Sequence, residues 1–145
     1  MPMNKQEAEL QGRLCNVQEE YGAHRVAVAG QLLTDVCHSA SVRGGWWHDI
    51  KTGEPLVRNV PEMLCLVHSE ISEAMEGHRK NLKDDHLPHR WMMEVELADA
   101  VVRIFDMAGG LGLDVAGALA EKLGYNAVRA DHRPENRAKE GGKAF

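Results

Sequence analysis

Two pairs of acids, each three residues apart, stand in otherwise apolar surroundings. Glu70-Ile71-Ser72-Glu73 follows Leu66 and Val67, and Glu96-Leu97-Ala98-Asp99 follows Val95. On an α-helix, a spacing of three places two side chains about 60° apart around the axis, one above the other. If the two helices pack by their apolar stripes, Glu70, Glu73, Glu96 and Asp99 converge at the edge of the seam. Two like charges 4 Å apart repel by about 1 kcal/mol in water and about 4 kcal/mol at an effective dielectric near 20. Four such groups therefore call for protons or cations. Mg²⁺ and Mn²⁺ prefer carboxylate and water oxygens, and four carboxylates balance two divalent ions. An ion with few protein ligands keeps positions open to phosphate oxygens. Two ions about 3.5–4 Å apart can orient an attacking water and stabilise charge developing on phosphorus. Either doublet alone reads as a solvated helix face; the pair of them, each in an apolar stretch, points to a site. A di-iron bundle would call for Glu-x-x-His, and no Glu in this chain is followed by His three residues later.

The elements that must carry these acids are helices. Aromatic residues are few, with two Phe, two Tyr and three Trp, while Ala, Leu, Glu and Met are plentiful, a usage that favours helix over strand. A first helical region is expected from Gln6 to Ser41, with a break near Gly22 or Gly30 and Leu10, Leu14, Val17, Val26, Ala29, Leu33 and Val36 on its apolar face. A loop follows through Gly44-Gly45-Trp46-Trp47-His48-Asp49 to Pro55, rich in turn formers. The second helix should run from Pro61 to His78, burying Val67, Ile71, Ala74 and Met75. The third should run from His89 to Ala108, burying Met92, Val95, Ala98, Val102 and Phe105, with Gly109-Gly110 ending it. The fourth should run from an N-cap at Asp114 to Arg129, burying Val115, Leu119 and Leu123. The periodicity thus predicts an all-α chain with a four-helix, antiparallel bundle-like core. Residues 1–145 should form one domain, with an N-terminal helical region and loop over 1–59, a metal-binding core over 60–130 and a polar, irregular tail over 131–145.

Other side chains offer supporting chemistry. Lys122, Asn126 and Arg129 recur at steps of four and three, so one helix face presents two cations and an amide, suited to phosphates or equally to a solvated helix end. Trp46 and Trp47 could stack on a base or bury against the bundle or a second subunit. His38 could contact a base or serve as an ordinary polar residue of its helix. His48-Asp49 lacks the further spaced His and Asp ligands of an HD-type metal site. Arg79, Lys80, Lys83 and Arg90 cluster around the turn between the second and third helices, as attractors of phosphate or as a solvated loop. Asp84-Asp85-His86 lies in that same turn. Glu94 and Asp106 flank the third-helix doublet and could support its acids or add ligands of their own, with exposure the simpler reading.

The chain has 145 residues, 43% of them apolar and 27% charged, which suits one soluble domain. A net charge of −5 offers no footprint for a nucleic acid polymer. No apolar run reaches membrane-spanning length. The first residues, Met1-Pro2-Met3-Asn4-Lys5-Gln6-Glu7, carry no apolar signal core, and Cys15, Cys37 and Cys65 form no CxxC pair, so reduced thiols in a cytoplasm are expected.

Glu70-x-x-Glu73 followed by Glu96-Leu97-Ala98-Asp99 resembles the metal-binding signature of the MazG-like, all-α nucleoside triphosphate pyrophosphohydrolases. Ser69-Glu70-Ile71-Ser72-Glu73-Ala74 is similar to that family's first metal helix. Lys122-Leu123-Gly124-Tyr125-Asn126-Ala127-Val128-Arg129 is similar to a stretch of its phage-type members. The good match runs from Asn59 to Arg129. The resemblance implies hydrolysis of a nucleoside or deoxynucleoside triphosphate to monophosphate and pyrophosphate with Mg²⁺, for which Mn²⁺ can substitute. It also implies a homodimer or homotetramer in which one subunit's helices complete another's site, in a host cytoplasm if phage-encoded. Glu70, Glu73, Glu96 and Asp99 would be metal ligands; on chemical grounds one carboxylate of the quartet, Glu73 first and then Glu70, could help deprotonate the attacking water. Lys122, Asn126 and Arg129 would face phosphates or sugar. The long spacer holding Trp46-Trp47-His48-Asp49 departs from the family pattern. A helical module that binds nucleotide without cleaving it, or a purely structural adaptor, would be the alternatives.

Overall fold

The computed structural model describes residues 22–142, so the expected helix over residues 6–21, with Leu10, Leu14 and Val17, lies outside the described residues. Contacts divide the described chain into two compact units, residues 32–114 and residues 22–31 with 115–142. The helices are α1 (Ala23–Arg43), α2 (Val60–Lys80), α3 (Met92–Leu111), α4 (Val115–Val128) and the single turn α5 (Pro134–Arg137), with a 3₁₀ turn at Ala130–His132. The described chain is all-helical. Its extended pairing amounts to two isolated bridges, His48 with Pro55 and Lys83 with Trp91.

The unit formed by residues 32–114 holds the two acidic doublets. Asn59 caps α2 by accepting a hydrogen bond from the Glu62 backbone N–H through its side chain, at 3.3 Å, and Pro61 sits in the first turn. At the other end Asn81 adopts a left-handed conformation and its N–H returns to the carbonyls of Gly77 and His78. The chain then turns through residues 82–91. Buried Asp84 accepts hydrogen bonds from the N–H groups of His86 and Leu87, at 3.0 and 2.6 Å. α3 opens with the Trp91 N–H donating to the Glu94 carboxylate at 3.3 Å. It returns antiparallel to α2: Gly77 abuts Met92, while Arg103, eleven residues further along α3, reaches back to Glu70.

This helical hairpin buries several small side chains among larger ones. Met63, Glu70, Ala74 and Gly77 form the buried stripe of α2, and Glu96, Ala100, Phe105, Met107 and Ala108 are buried on α3. Ile71 and Met75, expected inside, lie elsewhere, as does Leu64. Leu64, Ile71 and Met75 stand one residue on from Met63, Glu70 and Ala74, about 100° round the helix, and are exposed. Leu33, Val36 and Val102 are exposed too, as are Leu119 and Leu123 in the other unit. The helix period was legible, but small residues permit the closest helix approach, and that moved the inner stripe by one position.

Two further boundaries differ from the sequence reading. Gly30 is buried within α1 and does not break it. Gly109-Gly110 does not end α3, which continues to Leu111 and stops where Gly112, at φ 66°, turns left-handed and returns its N–H to Ala108 and Gly109. Gly109 and Gly110 remain helical because other side chains rest on them. A Cβ on Gly109 would come within 2.5 Å of His38 Cβ, and one on Gly110 would enter the ring of Trp47. The tail expected to be irregular carries the 3₁₀ turn and α5.

Candidate metal and nucleotide site

The hairpin brings three of the four acids together. Oxygens of Glu70, Glu96 and Asp99 all lie within 4.8 Å of one another. Glu70 and Glu96 are 6% and 8% exposed, comparable to Phe105 at 7%, while Asp99 is open to solvent. Glu73 is exposed and outside this trio, one turn along α2, yet close enough to Glu96 for its charge to be felt.

The electrostatics follow from that placement. Burial first, then a hydrogen bond with Glu70 and repulsion from Glu73, Glu70 and Asp99, push Glu96 from 4.5 up to about 7. Burial and the charge of Glu70 also raise Asp99, against the opposing influence of Arg103. The cation that reaches the trio is Arg103, whose Nε donates to Glu70 Oε1 at 2.6 Å. Glu70 is enclosed, whereas the Arg103 side chain is 42% exposed. Arg103 stands one turn beyond Asp99 on α3, so its stem lies beside the trio without being enclosed by it.

A second cluster sits further along the same helix. Asp106 Oδ1 accepts a hydrogen bond from Trp47 Nε1 at 2.7 Å and lies 3.0 Å from His38 Nδ1. A carboxylate only accepts, so His38 Nδ1 carries the hydrogen in this contact. The two rings meet edge to face, 5.1 Å between centroids and 78° between planes, and the Arg58 guanidinium lies 5.3 Å from the Trp47 ring. Arg58 also donates to the carbonyl of Trp46. His38 comes from α1, Trp47 from the loop after it, and Gly109-Gly110 of α3 supplies the flat backbone on which both rest.

No protein-family model, curated protein or solved structure matches the chain.

Each sequence-derived candidate has a definite place. His38 and Trp47 join one cluster, and Glu70, Glu96 and Asp99 join the other. Asp106, read from sequence as an exposed flank, is the group both rings share, and its side chain is only 13% exposed. The signal was present: Asp106 follows Asp99 by seven residues, which returns it to nearly the same helix face. Glu94 caps its own helix and pairs with Arg90, at 3.8 Å. The bases around the turn are engaged locally, Arg79 and Lys80 with Glu76 at 3.1 and 2.5 Å, and Lys83 over the Trp91 ring at 3.4 Å. Asp49 closes a turn by accepting from the N–H groups of Lys51 and Thr52, both at 2.8 Å, which accounts for the His48-Asp49 dipeptide structurally. Trp46 is largely exposed.

Lys122, Asn126 and Arg129 belong to the other unit. Lys122 and Arg129 flank the Tyr125 ring, at 4.9 and 5.5 Å. Asn126 Oδ1 is buried without a hydrogen-bond partner. Arg129 departs from the expected shared face. α4 ends at Val128, the backbone at Arg129 is extended, and its guanidinium is bound in a fork to Asp131, at 2.9 and 2.6 Å.

Proposed function

We propose that the chain is a metal-dependent nucleoside triphosphate pyrophosphohydrolase that cleaves its substrate to the monophosphate and pyrophosphate. The observation that carries this reading is the trio of Glu70, Glu96 and Asp99, with oxygens within 4.8 Å and two of its members buried. Buried carboxylates this close are unfavourable unless protons or cations accompany them, and the all-oxygen donor set suits Mg²⁺ or Mn²⁺. Glu70, Glu96 and Asp99, joined by Glu73 from the next turn of α2, would hold the ion. Once bound, such an ion supplies charge neutralisation for a polyphosphate and acidifies water.

The chain's own residues divide the remaining work. Glu73, solvent-open and beside the trio, is positioned to accept the proton of an attacking water, with Glu70 as second choice. The cluster of His38, Trp47 and Asp106 begins two helical turns from Asp99, about 10 Å along α3, a separation comparable to that between the base and the phosphates of a nucleotide. Trp47 and His38 would then lie toward the base. A homodimer or homotetramer is part of the same reading, supported by the exposed apolar side chains of Leu64, Ile71 and Met75 on one face of α2.

The Arg103–Glu70 ion pair favours a second reading, a helical module that binds nucleotide and leaves it intact. One experiment separates them: pyrophosphate release across the ribo- and deoxyribonucleoside triphosphates with Mg²⁺ and with Mn²⁺. The enzyme reading expects release from at least one triphosphate, abolished in Glu70→Gln and Asp99→Asn with helical content unchanged. Nucleotide binding without release, in protein whose trio is intact, would leave the second reading standing.

A further inference from the structure

We propose that Arg103 is a displaceable counter-ion: it holds Glu70 until a divalent cation enters, then turns to the phosphates of the substrate. This rests on the metal-site reading above and adds to it a residue that couples the two ligands. Arg103 Nε binds Glu70 Oε1 at 2.6 Å, and Glu70 contributes one of the three clustered oxygens, so guanidinium and metal compete for one carboxylate.

The competition is resolved by movement. A guanidinium does not release its proton in a protein, so Arg103 can yield Glu70 only by swinging away from it. Its surroundings allow this. The side chain is 42% exposed at the end of a long flexible stem, whereas the carboxylate it binds is 8% exposed and held in the hairpin. Once a divalent charge sits among Glu70, Glu96 and Asp99, Arg103 is repelled by it. The group best able to receive a displaced guanidinium beside a metal is a phosphate, which matches its fork geometry with two parallel hydrogen bonds. Arg103 stands between Asp99 and Asp106 on the face they share, between the acidic trio and the ring cluster.

The consequence is a linkage with a definite sign. Metal alone binds against Arg103, whereas metal with triphosphate gives Arg103 a new partner, so each ligand raises the affinity for the other by the same factor. Removing the guanidinium should therefore strengthen the first binding event and weaken the second.

The test is isothermal titration of wild type, Arg103→Gln and Arg103→Lys with Mn²⁺ alone, then with inorganic tripolyphosphate at saturating Mn²⁺, with circular dichroism as the check on folding. Arg103→Gln is expected to bind Mn²⁺ about tenfold more tightly and tripolyphosphate about tenfold more weakly than wild type. Arg103→Lys keeps the charge and should stay within about twofold of wild type for Mn²⁺, while losing tripolyphosphate affinity with the fork. If wild type binds Mn²⁺ and folded Arg103→Gln binds it no more tightly, the counter-ion proposal fails and the metal site stands. If neither protein binds Mn²⁺ while both are folded, the metal site and the proposal fail together. Should Arg103→Gln not fold, Arg103→Lys decides alone, and unchanged tripolyphosphate affinity in it overturns the proposal.

Discussion

Glu96→Gln should make the metal-free protein more stable at alkaline pH and leave it unchanged in acid. Glu96 rises from 4.5 to about 7 in the fold. Each tenfold displacement of an ionisation equilibrium corresponds to about 1.4 kcal/mol, so keeping Glu96 ionised in the folded chain costs up to about 3 kcal/mol, shared with the acids that repel it. Between about pH 4.5 and 7 the folded protein retains a proton that the unfolded chain has released. Stability from this group is therefore lost as pH rises through that window and is level above it. Gln keeps the shape and the ability to donate to Glu70, but does not titrate. In EDTA, wild type and the variant should melt together near pH 4, and at pH 8 the variant should melt roughly 5–10 °C higher for a chain of this size. Mn²⁺ should reverse that order. A ligand at a thousand times its Kd adds about 4.1 kcal/mol to the protein that binds it, more than ionised Glu96 costs, and the variant has lost one of the three clustered oxygens. The assay is thermal unfolding by circular dichroism from pH 4 to 8, with and without Mn²⁺. A melting difference that is constant across that range, or a variant less stable than wild type at pH 8 in EDTA, would refute the reasoning.

Three other perturbations bear on different parts of the molecule. Asp106→Ala leaves the Trp47 and His38 N–H groups without their acceptor and should cost about 1–3 kcal/mol in urea unfolding, while Asp106→Asn, which keeps a carbonyl oxygen there, should recover most of it. Gly110→Ala inserts a methyl into the space of the Trp47 ring and should cost about 1–3 kcal/mol despite the better helix propensity of alanine; an unchanged or raised melting temperature would contradict the packing described. Ile71→Glu with Met75→Glu places two charges on the exposed apolar stripe of α2, and light scattering should then report a smaller assembly than wild type. An identical mass for both proteins would remove that stripe as a subunit contact.

Much of the hairpin was legible in the sequence because its signals are local. Helical periodicity, the Pro61 entry and the spacing of each acidic doublet all act within a turn or two. The side of each helix that faces inward was less legible. Periodicity alone cannot distinguish the stripe of Leu64, Ile71 and Met75 from the one beside it, and hydrophobicity favours the wrong choice when small residues and Glu70 line the contact. Arg103 and Asp106 were under-read for a related reason. Their partners, Glu70 for one and His38 and Trp47 for the other, lie 33, 68 and 59 residues away in the chain. Gly109-Gly110 resembles a helix stop until the rings that cover it are known.

Glycine is among the weakest helix formers, costing about 1 kcal/mol relative to alanine at each interior position. The last turn of α3, with two glycines in succession, is thus intrinsically prone to fray, and the two rings packed on it act as a splint. Whatever draws Trp47 off that surface should also loosen the amides of residues 109–112. Their exchange with deuterated solvent would register the aromatic cluster opening, even where fluorescence cannot separate Trp47 from its neighbours.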